Sequence, residues 1–222
     1  MKAIYNFFLV IFSIIFVASC SVDSSNEDPN TLGGSTDVAL AKVGNVFTPS
    51  ITVAGRAVNF DGSLKVTNND NGIVTVKAIV NTAKLSTDLK DIIDLFPAKY
   101  KDSAGNINSD IKFKVTSEGI QDFLNPDDKP HTIAKYNCSV GDKYVLTRSD
   151  GKTITREITA KSSTDEFPYG MLLLKTITTE RNTSLPGVKK VIYKTNHKYG
   201  LVFVQLVMED GSNGSMYIFS KN

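Results

Sequence analysis

Apolar and polar residues alternate along most of this chain, and the alternating runs are broken by Asp-Gly and Asn-Gly pairs. Alternation with period two lays one face of a β-strand on a core and leaves the other in water. Glycine after Asp or Asn accepts the positive φ of a tight hairpin turn at little cost. Ala57-Val58-Asn59-Phe60 leads into Asp61-Gly62, Ser63-Leu64-Lys65-Val66-Thr67 alternates, Asn68-Asn69-Asp70-Asn71-Gly72 turns the chain, and Ile73–Val80 continues it. Lys143–Arg148 faces Lys152–Ile158 across Ser149-Asp150-Gly151. Met171–Thr179, Lys189–Lys194, Leu201–Met208 and Ser215–Ser220 read as further strands, with Asp210-Gly211 turning into the last. Leu201–Met208 is almost continuously apolar, which predicts a central strand covered on both faces. The fold class that follows is mainly β: a curved antiparallel sheet, in sandwich or half-barrel form.

One segment has a different period. Leu89, Ile92, Ile93 and Phe96 make an i, i+3, i+4, i+7 stripe, Ser86 or Thr87 can cap its start, Asp88 complements the dipole and Pro97 ends it. The spacing predicts a short helix over 86–97 that covers one side of the sheet. Residues 101–110 read as a polar loop and Ile111–Val115 as a half-buried strand. Asn125-Pro126-Asp127-Asp128-Lys129-Pro130 is a second breaker. The β-rich domain spans 39–222, and the breaker at 125–130 is where it would divide if it holds two subdomains.

The first residues set the compartment. Lys2 precedes an apolar run, Ala3–Ala18, that only Asn6 and Ser13 interrupt. A charged start, an apolar stretch and small residues before a cysteine form a secretory signal over 1–19. At about 16 residues the run is short of the ~20 that a membrane-crossing helix needs. From Cys20 to Val38 the chain is Ser, Asn, Asp, Glu, Pro and Gly with almost nothing apolar, the composition of a flexible tether.

The tetrad Val17-Ala18-Ser19-Cys20 resembles the lipobox of bacterial lipoproteins. The resemblance implies cleavage before Cys20, a thioether from its sulfur to diacylglycerol, and acylation of the new amine by a fatty acid such as palmitate. Several acyl chains hold a protein on a bilayer stably, where one does not. Ser21, rather than Asp, after the cysteine implies an outer-membrane destination within that family, on either face. Asp23, Glu27 and Asp28 are loosely similar to acidic surface-export signals of Bacteroidota, and Asp102-Ser103-Ala104 to their short O-glycosylation signal. The layout as a whole resembles envelope lipoproteins of Bacteroidota. With Cys20 lipidated, Cys138 is left single, a small buried hydrophobe rather than a nucleophile. A Cys20–Cys138 disulfide is the alternative.

Composition excludes some partners. Removing Lys2 leaves 24 Lys+Arg against 23 Asp+Glu, so the mature chain lacks the cationic excess that nucleic-acid binding needs. The two histidines, His131 and His197, read as loop and turn residues, and no Gly-x-Ser-x-Gly elbow accompanies them. No pair of His or Cys has zinc-ligand spacing. The Thr67, Asn69, Asn71 series lacks the late Glu of a calcium loop, with Ala78 at that place. Asp102, Asn106, Asn108 and Asp110 read as turn formers. No catalysis, metal or cofactor is therefore expected. Trp is absent, so sugar-binding platforms reduce to Tyr100, Tyr169 and Tyr199, which fall at loops or strand ends. The expected partners are the membrane, through the lipid, and an apolar small molecule, a glycan or an envelope protein. Two functions stay open: a lipid-anchored domain presenting a binding or structural surface, or a carrier of an apolar ligand, because a curved sheet capped by a helix is similar to the half-barrels of lipid carriers.

Overall fold

The computed structural model describes residues 28–85, 90, 98–183 and 186–221. They hold fifteen strands: β1 (Val46–Val53), β2 (Arg56–Val58), β3 (Gly62–Asp70), β4 (Ile73–Val80), β5 (Ile107–Thr116), β6 (Gly119–Asp122), β7 (His131–Lys135), β8 (Lys143–Thr147), β9 (Thr153–Lys161), β10 (Phe167–Tyr169), β11 (Leu172–Leu174), β12 (Ile177–Asn182), β13 (Val188–Asn196), β14 (Gly200–Met208) and β15 (Asn213–Ser220). Thirteen form one sheet in the order β7-β6-β5-β4-β3-β1-β15-β14-β13-β12-β9-β8, with β2 paired to β1, and β10–β11 is a separate hairpin. Every pairing is antiparallel, as short connections demand. The sheet coils into a nearly closed half-barrel, the curved form expected of the alternating pattern. The 86–97 helix falls on residues 86–89 and 91–97, which lie outside the described residues.

Turn chemistry explains several hairpins and corrects one. Asn71 (φ 48) and Gly72 (φ 83) form the two-residue turn between β3 and β4, both in the left-handed region. Asp61-Gly62 is not a turn. Gly62 opens β3, where an added Cβ would stand 2.4 Å from the Ile79 carbonyl oxygen, so the glycine admits a close backbone approach. The turn between β1 and β2 is Ala54-Gly55 (φ 47 and 77), hidden in the sequence because alanine is no turn former. The run Met171–Thr179 is likewise two elements. It breaks after Leu174, and β11 returns on β10 while β12 joins the main sheet. The 125–130 breaker is an ordered turn across which β6 and β7 pair, so the sheet passes through it unbroken.

The core lies between the two walls of the coil. Val66, Val74, Val76, Val115, Ile120 and Ile133 from β3–β7 meet Val191 and Tyr193 of β13, with Ala41 above them. Full burial of each large aliphatic contributes about 1.5–3 kcal/mol. A second cluster of Ile51, Ala78, Val80, Leu85 and Ile107 fills the region around β1, β4 and β5.

The antiparallel registers define two ends. The turns at 71–72, 117–118, 136–142 and 197–199 share one end with the β9–β12 connection. This is the capped end, because a 3-10 turn at Ala39–Ala41 crosses it and Ala41 is wholly buried there. The segment leading to that turn has the composition of a tether, yet from Asp28 onward it is docked. Asn30 is 7% exposed and Leu32 4%. The segment forms a strap along the seam where the two terminal strands meet, described below.

Candidate functional site

The interior of the half-barrel holds a cavity of about 90 Å³ at the capped end. One wall is Leu64, Val74, Val76, Phe113, Val115 and Ile120, from β3 to β6. Phe47, Leu201 and Ile218 close the other wall, and Leu40, Tyr199 and Gly200 stand at the mouth. The lining is almost wholly apolar. Alternation puts these side chains inward, since Phe47, Leu64 and Ile218 occupy positions whose sequence neighbours face out. Leu40 projects from the 3-10 turn against Gly200, where an added Cβ would lie 2.9 Å from Leu40 Cδ1. The glycine (φ 65) thus leaves room for the leucine that narrows the opening. The cavity is smaller than the ~150 Å³ site that holds a benzene, and far below the ~300–1,000 Å³ of drug-sized pockets. Its chemistry suits an unbranched aliphatic end. A larger ligand has to displace Leu40 and Tyr199, both half-buried.

The candidate tyrosines are separated. Tyr100 lies in a 3-10 turn (Ala98–Tyr100) at the end opposite the cap, with the Lys99 ammonium 5.0 Å from its ring. Tyr169 and Tyr199 come together, their rings 5.3 Å apart. Tyr169 offers no face to solvent: it is 6% exposed, and its hydroxyl donates to the Ile218 carbonyl at 2.7 Å. Burial raises its pKa. Only Tyr199 reaches the cavity. Both belong to an aromatic pad on the outer face of β14 and β15. Phe167 stacks on Tyr217 (5.7 Å) and meets Phe203 edge-on (5.6 Å), while Tyr169 packs on Phe219 (4.8 Å). The β10–β11 hairpin thereby covers the outer side of β14, which explains the apolar run of that strand.

His131, expected in a loop, is the first residue of β7 and is 1% exposed. Its Nε2 donates to the Tyr144 carbonyl at 3.0 Å. Burial and the nearby Arg156 cation lower its pKa to about 4, so the imidazole is neutral and committed to a structural bond. His197 lies in the turn between β13 and β14. Cys138 is free and 5% exposed, and burial raises its thiol pKa, as suits a small hydrophobe. Among the described residues no three His, Cys, Asp or Glu side chains gather as metal ligands. Asn69 instead accepts from Gly72 N and donates to Ala41 O, and Asp102 caps its own loop through Ala104 N and Asn106 N. Cys20 lies outside the described residues.

Sequence reasoning missed the polar seam. Terminal strands β7 and β8 share no ladder; they meet through His131 and through Lys135 N, which donates to the Tyr144 hydroxyl at 3.2 Å. Asn30 fills the gap, its Oδ1 accepting from Thr132 N (2.9 Å) and its Nδ2 donating to Val145 O (2.8 Å). A side-chain amide here stands where a backbone peptide would in a continuous sheet. Gln121 Nε2 donates to Asn30 O, and Lys114 Nζ to Leu32 O. Behind the strap, buried Arg156 of β9 bonds Asp122 of β6 at 2.6 Å and the His131 carbonyl at 2.8 Å, its guanidinium 4.9 Å from the Tyr193 ring.

No protein-family model matches the chain, and no curated protein matches its sequence. Among solved structures, a candidate exported protein with a YmcC-like fold from Bacteroides fragilis aligns with 82% of this chain and 97% of its own at 10% identity, with a TM-score of 0.46. A DUF1329-family protein from Desulfovibrio piger aligns with 83% of this chain and 85% of its own at 9% identity, with a TM-score of 0.25. Likenesses at this level say nothing of what the lumen holds. Among the described residues no helix is long and apolar enough to cross a membrane.

Proposed function

We propose that this is a lipid-anchored protein of the cell envelope whose β-rich domain takes the end of a single apolar chain into its lumen. The observation that carries the reading is the apolar cavity behind Leu40 and Tyr199, lined by Val74, Val76, Val115 and Ile120 of the main core. The lipobox at Val17-Ala18-Ser19-Cys20 supports the anchor, and Ser21 supports an outer-membrane destination. The burial of His131, with its Nε2 held by the Tyr144 carbonyl, argues against this imidazole as a general base.

A linear polyene fatty acid such as cis-parinaric acid is the direct probe, because it brightens on entering an apolar slot. The wild-type protein is expected to bind it saturably. Val74→Phe, which adds bulk to the cavity wall, is expected to weaken binding by about tenfold or more, roughly what losing 1.4 kcal/mol of apolar contact gives. Urea unfolding of the variant checks that the fold is retained. An absence of saturable binding by the wild type, or identical binding by a folded Val74→Phe protein, would count against the lumen as the site. The purely presenting role would then be the better reading.

A further inference from the structure

The β10–β11 hairpin turns one apolar face inward and a second outward. Phe167, Tyr169 and Leu174 press on the aromatic pad, as an amphipathic hairpin should. Its other side and tip should be polar, yet Met171 is fully exposed (104%), Leu172 is 48% exposed and Leu173 57%. This tip is held, not loose. The Tyr169 hydroxyl bonds the Ile218 carbonyl, Lys175 N donates to Asp165 Oδ1 at 3.0 Å, and the Lys175 carbonyl accepts from Asn196 Nδ2 at 2.8 Å. Three adjacent large aliphatics presented on a fixed scaffold mark a contact surface. The capped end carries other exposed apolar residues, Val43 and Val140 on its turns and Ile73 at the start of β4.

We propose that the Met171–Leu173 tip docks into the surface of a phospholipid bilayer. The occupant follows from the chain that precedes the domain. This step rests on the lipid anchor proposed above. Cys20 lies eight residues before Asp28, and at about 3.5 Å per residue the link spans at most about 28 Å. A domain held that close to a membrane meets lipid before any other apolar surface. Lys175 follows β11, one residue beyond the exposed aliphatics, and Lys198 lies at the edge of the pad, 5.3 Å from the Tyr199 ring, so cations are placed to meet phosphate headgroups while the aliphatics enter the acyl boundary. Docking there also turns the cavity mouth toward the source of apolar chains.

The chain contains no Trp, so Leu172→Trp creates a sole tryptophan at the tip, excited selectively over the tyrosines, and Lys152→Trp, on a turn at the opposite end, serves as control. Each full-length protein is reconstituted in phosphatidylethanolamine–phosphatidylglycerol vesicles with and without brominated chains. Docking predicts blue-shifted emission and at least about twofold quenching by bromine for Leu172→Trp, and neither for Lys152→Trp, the depth being that of the headgroup–acyl boundary. Quenching alike in both proteins, or in neither, overturns the proposal. A blue shift without bromine quenching also overturns it, because the tip is then covered by protein. The intact mass separately reports whether Cys20 carries lipid. If it does not, the anchor fails, and adding the same proteins to preformed vesicles still decides for or against docking.

Discussion

A histidine with 1% exposure and one ring nitrogen committed to a carbonyl folds as the neutral base. Burial, with Arg156 nearby, lowers the pKa of His131 from 6.5 to about 4. Above pH 6.5 the imidazole is neutral in both folded and unfolded chains and carries no linkage. As the pH falls from 6.5 toward 4 the unfolded chain binds a proton that the folded one refuses, so stability drops, and it levels off below 4. The expected loss is on the order of 3 kcal/mol. His131→Gln keeps a nitrogen donor for the Tyr144 carbonyl and cannot titrate. Urea unfolding at pH 7.5 and 4.5 should show the wild type losing more stability than the variant. Equal losses would mean that the folded protein accepts the proton. In the sequence His131 reads as a loop residue because Pro130 precedes it, and nothing local signals that Tyr144 and Arg156 will enclose it.

At the level of elements, what the sequence reveals depends on how local the cause is. The Asn71-Gly72, Ser149–Gly151 and Asp210-Gly211 turns are legible because each is decided by backbone preferences of two or three residues. The strap is not. Asn30 sits among Ser, Asn, Asp and Pro, the composition of a tether, and its partners Thr132 and Val145 lie 102 and 115 residues away. The role of Tyr199 at the cavity mouth is half legible: its place at a strand end can be read, whereas nothing local to Leu40, two residues past the apparent tether, signals that it will narrow the same opening. The strap predicts a specific result. Asn30→Ala removes the amide that bridges the terminal strands and leaves the Thr132 N–H and Val145 carbonyl to find other partners. Each buried group left unsatisfied costs about 1–3 kcal/mol, so a loss of about 2–4 kcal/mol is expected. Asn30→Asp keeps the acceptor for Thr132 N and sets a carboxylate oxygen against the Val145 carbonyl, and should cost at least as much. Hydrogen exchange at Thr132 reads the seam directly: its amide should lose protection in both variants while β14 amides keep theirs. Protection at Thr132 unchanged by Asn30→Ala would show that the strap is ornament to a seam closed by other means.

The whole molecule is a long sheet bent until its two edge strands, β7 and β8, meet, so its closure rests on a few side-chain contacts rather than on a ladder. Arg156 is the largest wholly buried side chain among the described residues and lies at that closure, reaching Asp122 of β6 and the His131 carbonyl of β7 from β9. Two opposed effects act on the pair. Desolvating both ions is costly, and the attraction across 2.6 Å in a poorly polarisable interior offsets it only while both are present. Removing one partner is therefore worse than removing both. Asp122→Ala leaves the Arg156 cation buried without its carboxylate and should destabilise by about 3–5 kcal/mol, whereas Asp122→Leu with Arg156→Met, which refills the space with apolar atoms, should return close to wild-type stability. If the ion pair only stabilises, the double variant will unfold in one step near the wild-type urea midpoint. If it also specifies how the terminal strands align, the double variant will keep its midpoint but lose amide protection along β7 and β8, because apolar contacts tolerate a sliding register that a bonded guanidinium does not. A double variant as unstable as Asp122→Ala alone would overturn both, and would place the weight of closure on the attraction between the charges.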